Sequence, residues 1–146
     1  MRIFLLLLTL CSVSRSVAQY FVPSVAGQWV GQITQNDGGY LPNYSYELFF
    51  QVEDGRIYGR SYVRAPGVEG VMQFSVEKRG EVFYIQEEEL LQSRKPQDLS
   101  WCFKTMQLRL VQRGKRWYLE GPWQGQSEYG ECIPGWLVLE PAVPRA

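Results

Sequence analysis

With 146 residues, 45% of them hydrophobic, the chain is long enough for one domain with its own core. Its 15 basic and 15 acidic residues balance, which leaves no electrostatic footprint for nucleic acid. Histidine is absent, so imidazole-based triads, His-ligated zinc sites and His-relay nucleases are excluded, and any chemistry falls to carboxylates, Tyr, Ser or Lys.

The chain opens on Met1-Arg2 and an almost unbroken apolar run from Ile3 to Cys11. Ser16-Val17-Ala18 then places small residues where a signal peptidase reads. These features predict a signal peptide over 1–18, cleaved after Ala18, and a single β-barrel domain over 19–146. The run is too short to span a bilayer and no later segment is apolar enough, so no membrane span is expected. Lipoprotein processing at Cys11 is the alternative, although bulky Leu10 stands where that pathway wants a small residue. Cleavage removes Arg2 and Arg15 and no acid, turning 15 basic against 15 acidic into 13 against 15, a net charge of −2. It also leaves two cysteines, Cys102 and Cys132, an even number that argues for a disulfide in a secreted or periplasmic protein.

The rest reads as strands separated by turn residues. Gly27 to Gln35 alternates, with Trp29 and Ile33 on one face, and Asn36-Asp37-Gly38-Gly39 ends it. Tyr44 to Glu53 follows, with Tyr46, Leu48, Phe50 and Val52 on one side, and Asp54-Gly55 is a hairpin signal leading into Arg56 to Val63. Ala65-Pro66-Gly67 turns the chain into Gly70 to Lys78, where Met72, Phe74 and Val76 alternate. Arg79-Gly80 turns it again into Glu81 to Glu89. A short helical turn over 87–92 and a loop over Ser93 to Asp98 are expected next. Trp101 to Gln112 is a long strand with Cys102, Met106, Leu108 and Leu110 on one face. After Arg113-Gly114-Lys115, Arg116 to Gln124 places Trp117, Leu119 and Trp123 together. Gly125 to Pro134 reads as polar and irregular, Gly135 to Glu140 as a last strand, and Pro141 to Ala146 as a tail. The fold class is therefore all-β: an antiparallel up-and-down meander of about eight strands. Closure into a small barrel removes exposed edges; a two-sheet sandwich is the alternative. In such a meander Cys102 and the loop carrying Cys132 share one end of the sheet, and a bridge between them is the expectation.

Gly27-Gln28-Trp29, opening the first strand, resembles the Gly-x-Trp that starts the barrel in the calycin superfamily of lipocalins, avidins and fatty-acid-binding proteins. The run Asp54 to Tyr62, with Gly55 and Gly59 four residues apart, is similar to an avidin-type hairpin. The resemblance implies a calycin-like barrel able to hold a ligand, with Trp29 closing its floor as a structural residue.

Among candidate sites, Glu87-Glu88-Glu89 is the densest carboxylate run. It is read as a solvated strand end or helical turn beside Arg94 and Lys95, since charge runs face water; a buried member would gain a raised pKa and a possible acid role. Trp101, Trp117, Trp123 and Trp136, with Tyr118 and Tyr129, crowd the second half. Most serve as core, and the ligand-binding set is placed at Trp117, Tyr118, Trp123 and Trp136. Trp123 and Trp136 should reach a pocket mouth rimmed by Gln124, Gln126 and Glu128. Arg56, Arg60 and Arg64 share a face with Tyr58 and Tyr62, as exposed sheet residues do. Asn43-Tyr44-Ser45 is a glycosylation sequon that also suits a turn before a strand. No phosphate-binding loop, metal cluster or nucleophile elbow is present, so no catalytic residue, metal or cofactor is assigned. The function expected is a small exported binding protein, not an enzyme, holding an apolar or amphipathic molecule among barrel aromatics. A protein-interaction or inhibitor module acting through its loops, and more remotely a carboxylate hydrolase, are the alternatives. A cavity beyond about 300 Å3 would favour a carrier, and a filled barrel an interaction module.

Overall fold

The computed structural model describes residues 23–143. The expected signal peptide and the lipidation site at Cys11 lie outside them. The strands are β1 (Gly27–Thr34), β2 (Asn43–Glu53), β3 (Arg56–Ala65), β4 (Val68–Arg79), β5 (Val82–Arg94), β6 (Phe103–Arg113), β7 (Arg116–Ser127), β8 (Gly130–Glu131) and β9 (Gly135–Pro141). Each of the first seven pairs antiparallel with the next, β9 pairs with both β7 and β1, and the circle closes. The result is an eight-stranded up-and-down barrel, with β8 a two-residue hairpin arm on β7. This settles barrel against sandwich. No helix among the described residues is long and apolar enough to cross a membrane.

The alternation seen in the sequence becomes the inside and outside of the barrel. Tyr46, Leu48 and Phe50 of β2, Met72 and Phe74 of β4, Met106 and Leu108 of β6, and Leu137 and Leu139 of β9 are buried. The β2–β3 hairpin turns on Asp54 (φ 49°) and Gly55 (φ 75°), two left-handed residues whose twist matches that of the flanking strands. Trp29 is buried at the end where that hairpin sits, its indole N–H donating to the Val25 carbonyl at 2.8 Å. That placement fits the floor role expected from the calycin-like resemblance.

The opposite end carries the disulfide between Cys102 and Cys132, with Cα atoms 6.2 Å apart. The bridge ties the entry to β6 to the segment before β9, as the meander implied. An exported protein is the ordinary home of such a bond. Strand β7 runs on to Ser127 and pairs with β8, so the stretch expected to be irregular from Gly125 is partly strand.

Two bulges reshape β5. Phe74 faces Glu87 but Gln73 faces Glu89, leaving Glu88 extra; Met72 faces Leu90 and Val71 faces Gln92, leaving Leu91 extra. The expected helical turn over 87–92 is therefore bulged strand. The bulge at Glu88 also overturns simple alternation: Glu87 points inward while Glu88 and Glu89 are both exposed.

Candidate functional site

The β5–β6 ladder stops early. Its last pair is Gln86 with Thr105, although β5 continues for eight more residues to Arg94. Side chains take over where the backbone parts. The Lys104 N–H donates to Glu87 Oε2 at 2.9 Å, and the Gln86 side-chain amide donates to the Glu87 carbonyl at 2.9 Å. The barrel wall is thus open between β5 and β6 toward the disulfide end, and the freed polar groups at the fork are satisfied. Trp101 closes part of the gap, its indole N–H donating to Ser93 Oγ at 2.7 Å. Its ring lies against Gly70 of β4, where a Cβ would come within 2.6 Å of the indole edge, so only glycine leaves room for that lid.

Inside the fork sits a charged cluster. Glu87 is buried, and its Oε1 accepts from the Tyr46 hydroxyl at 2.6 Å and the Ser61 hydroxyl at 2.5 Å. Its Oε2 accepts from the Lys104 N–H and from the Lys104 ammonium, both at 2.9 Å. Four donors on two oxygens are what a buried carboxylate needs to remain an acceptor. Burial, and then the Glu87 charge and hydrogen bond, push the Tyr46 phenol well above its ordinary range, so it stays a donor. The Lys104 ammonium donates also to the Cys102 carbonyl at 3.1 Å and stands 5.5 Å from the centre of the Tyr46 ring. The reading of Glu87 as a solvated residue is corrected here: a lysine on the neighbouring strand at the same level makes its burial affordable.

Above Lys104 a cavity of about 70 Å3 opens at the barrel mouth. Ile33, Tyr44, Val63, Val68, Trp101 and Trp123 give it an apolar wall, half aliphatic and half aromatic, Tyr40 and Leu99 stand at it too, and Gln35, Ser100 and Lys104 are its polar groups. Glu87 does not line it; Lys104 does. The rest of the interior is filled by side chains, and the cavity is well short of the roughly 300 Å3 that encloses a drug-sized ligand. Gln35 donates through its amide to the Ile133 carbonyl at 3.3 Å, and its own carbonyl oxygen, Oε1, is buried without a partner.

The expected ligand-binding residues do not form one cluster. Trp123 is buried in the cavity wall, its indole N–H bound to the Thr34 carbonyl at 2.8 Å. Trp117 is half-buried at the other end of β7, beside Gln28 and Pro141. Tyr118 lies on the outer face under the Arg113 guanidinium, 4.1 Å from its ring centre. Trp136 is outward and 47% exposed, because Leu137 and Leu139 take the inward positions of β9. The expected rim of Gln124, Gln126 and Glu128 is exposed outside the cavity. Trp101 and Lys104 are among the mouth residues not assigned to the ligand-binding set from the sequence, as are Gln35, Tyr40 and Tyr44. No group of three or more Cys, Asp or Glu side chains suited to a metal ion occurs among the described residues.

No family model and no curated protein matches the chain. Among solved structures, it is similar to a protein of unknown function from the DUF3598 family of Nostoc punctiforme PCC 73102, at 20% identity and a TM-score of 0.36. The match covers 82% of this chain and 48% of that one, so the chain spans about half the length of that neighbour.

Proposed function

We propose that this is an exported, non-enzymatic binding protein that takes the end of a small amphipathic molecule into the mouth of its barrel. The observation that supports this reading is the cavity itself: an apolar and aromatic wall with a buried ammonium at its base, the usual make-up of a small-molecule site. Its volume suits the tip of a ligand and not a whole carried lipid. Glu87 is covered by four donors and set behind Lys104, which is no arrangement for a general acid or a nucleophile. Glycoside hydrolysis would need a second carboxylate facing it across a cleft, and Glu88 and Glu89 face outward.

Binding at the mouth changes the polarity around Trp101 and Trp123. A tryptophan-fluorescence titration with short-chain amphiphiles, lipids, flat heterocycles and oligosaccharides should show a shift or quench with the amphiphiles. Trp101→Phe should weaken the response and Trp136→Phe should leave it in place. Silence across all four classes would reject the reading. A protein partner docking on the same end, favoured by the exposed Tyr40, Tyr129 and Trp136, would then take its place.

Export carries its own check. The intact mass of the exported form should correspond to a chain starting at Gln19; a retained leader or a lipid on Cys11 would reject it.

A further inference from the structure

We infer that the outer wall of the barrel around Trp136 is a second binding site, for an uncharged oligosaccharide. It is separate from the mouth, and its failure would leave the binding proposed there standing.

Trp136 faces outward because Leu137 and Leu139 take the inward positions of β9, and 47% of its surface is open. A lone exposed aromatic needs no explanation; the surroundings define this one. The Thr34 hydroxyl on β1 holds its backbone, donating to the Trp136 carbonyl and accepting from the Trp136 N–H, both at 3.2 Å. Pro122 stands directly across on β7, a second exposed apolar ring. Gln32 is the next outward residue of β1 and Gln124 the next of β7. Gln107 of β6 falls opposite Pro122, between the Met106–Trp123 and Arg109–Glu120 pairs. All three glutamines are exposed. With strands about 4.8 Å apart, the row from Thr34 through Trp136 and Pro122 to Gln107 is about 14 Å long.

None of these side chains is charged. The next outward residue of β7 on the other side is Glu120, and both its oxygens are taken by the Arg113 guanidinium at 2.8 Å. The outer wall of β3 and β4 is different, with Arg60, Arg64, Glu69 and Glu77 exposed on it. Charge is therefore kept away from Trp136 in particular.

A sugar ring has C–H groups on its flat face and hydroxyls around its rim. The C–H groups, partly positive, pack on the negative face of an indole. The hydroxyls donate and accept, as glutamine amides and a threonine hydroxyl do. Neither side brings a charge that must lose its water, whereas an anionic lipid or an ionised peptide would find no countercharge here. A protein partner needs a broad apolar centre, and the apolar surface here is limited to Trp136, Pro122 and Val138 with amides around it. An open row across four strands suits a short glycan chain lying along it.

The mature protein is titrated with cellohexaose, xylohexaose, laminarihexaose and maltohexaose, and with hexagalacturonate as the anionic counterpart. Binding is read from the indole N–H resonances and, for the variants, by calorimetry. At least one neutral hexasaccharide should shift the Trp136 resonance and leave those of Trp101 and Trp123 in place. Trp136→Ala should weaken that sugar about tenfold, the loss of one stacked ring, and Trp136→Tyr, which keeps a ring, should stay within about threefold of the parent. No shift with any neutral sugar, tighter binding of hexagalacturonate, shifts confined to Trp101 and Trp123, or full affinity in Trp136→Ala would each overturn the inference. Broadening of the Trp136 resonance with protein concentration would mark the face as an interface between two copies of the chain and would overturn it too.

Discussion

Lys104→Met should cost the protein about 3–5 kcal/mol, the penalty for leaving a buried charge without its partner. The substitution keeps the apolar stem and removes the ammonium, so little of the loss is packing. What remains is a Glu87 carboxylate at 0% side-chain exposure that keeps two hydroxyl donors and one backbone N–H but no countercharge. Glu87→Leu should be similarly damaging, since it strands the ammonium and deprives the Tyr46 and Ser61 hydroxyls of their acceptor. The double variant Glu87→Leu/Lys104→Met removes both charges and should be more stable than either single one, because replacing a buried pair by apolar groups is often close to neutral. It should still fall short of the parent, as the two hydroxyls and the Lys104 N–H are left unpaired. Urea unfolding of the four proteins, treated as a double-mutant cycle, gives the coupling directly. Additive losses would show that the pair is not coupled in solution and would remove the charged base from the candidate site.

This pair marks where the sequence stops being readable. Following alternation through β6, Lys104 falls on the same face as Met106 and Leu108, and through β5 Glu87 falls with Phe83 and Ile85. Two opposite charges at inward positions of neighbouring strands are a signal, and it was available. It is masked because Glu87 stands in a run of three glutamates, which reads as solvated. The bulges at Glu88 and Leu91 had no such signal: neither glycine nor proline marks them, and only the register against β4 exposes them. The hairpins were legible because Asp54-Gly55 and Gly114 supply left-handed turns that few other residues accept. The outward placement of Trp136 was legible too, from Leu137 and Leu139 on either side of Val138. The cavity was not, since its wall is gathered from the ends of β1, β2, β3, β4, β6 and β7 and the loops before β2 and β6, and only barrel closure brings them together.

The disulfide is the other large contribution, and its loss should cost about 3–4 kcal/mol. The bridge joins residues 30 apart, and closing a loop of that size restricts the unfolded chain by that amount in the chain-entropy model. The folded protein has reason to keep the segment in place without it: the Cys132 N–H donates to the Gly125 carbonyl at 2.9 Å, and the Asn36 N–H to the Pro134 carbonyl at 2.9 Å. A Cys102→Ala/Cys132→Ala variant should therefore still fold, with a urea midpoint shifted downward by the full amount. Its slope should stay equal or become steeper, because the unbridged unfolded chain is less constrained and exposes more surface than the bridged one. The direction is thus a lower midpoint with an equal or steeper slope. The effect should also reach the site, since Cys102 lines the cavity and its carbonyl accepts from the Lys104 ammonium. Loosening the residue two positions before Lys104 should weaken binding of any ligand held at the mouth. In the parent, thiol-alkylating reagents should find no free cysteine before reduction, and the mass should rise by two hydrogens after it. A loss below about 1 kcal/mol on removing the bridge would show that the loop hydrogen bonds alone hold this end of the barrel, and the stability assigned to the disulfide would have to be given to them.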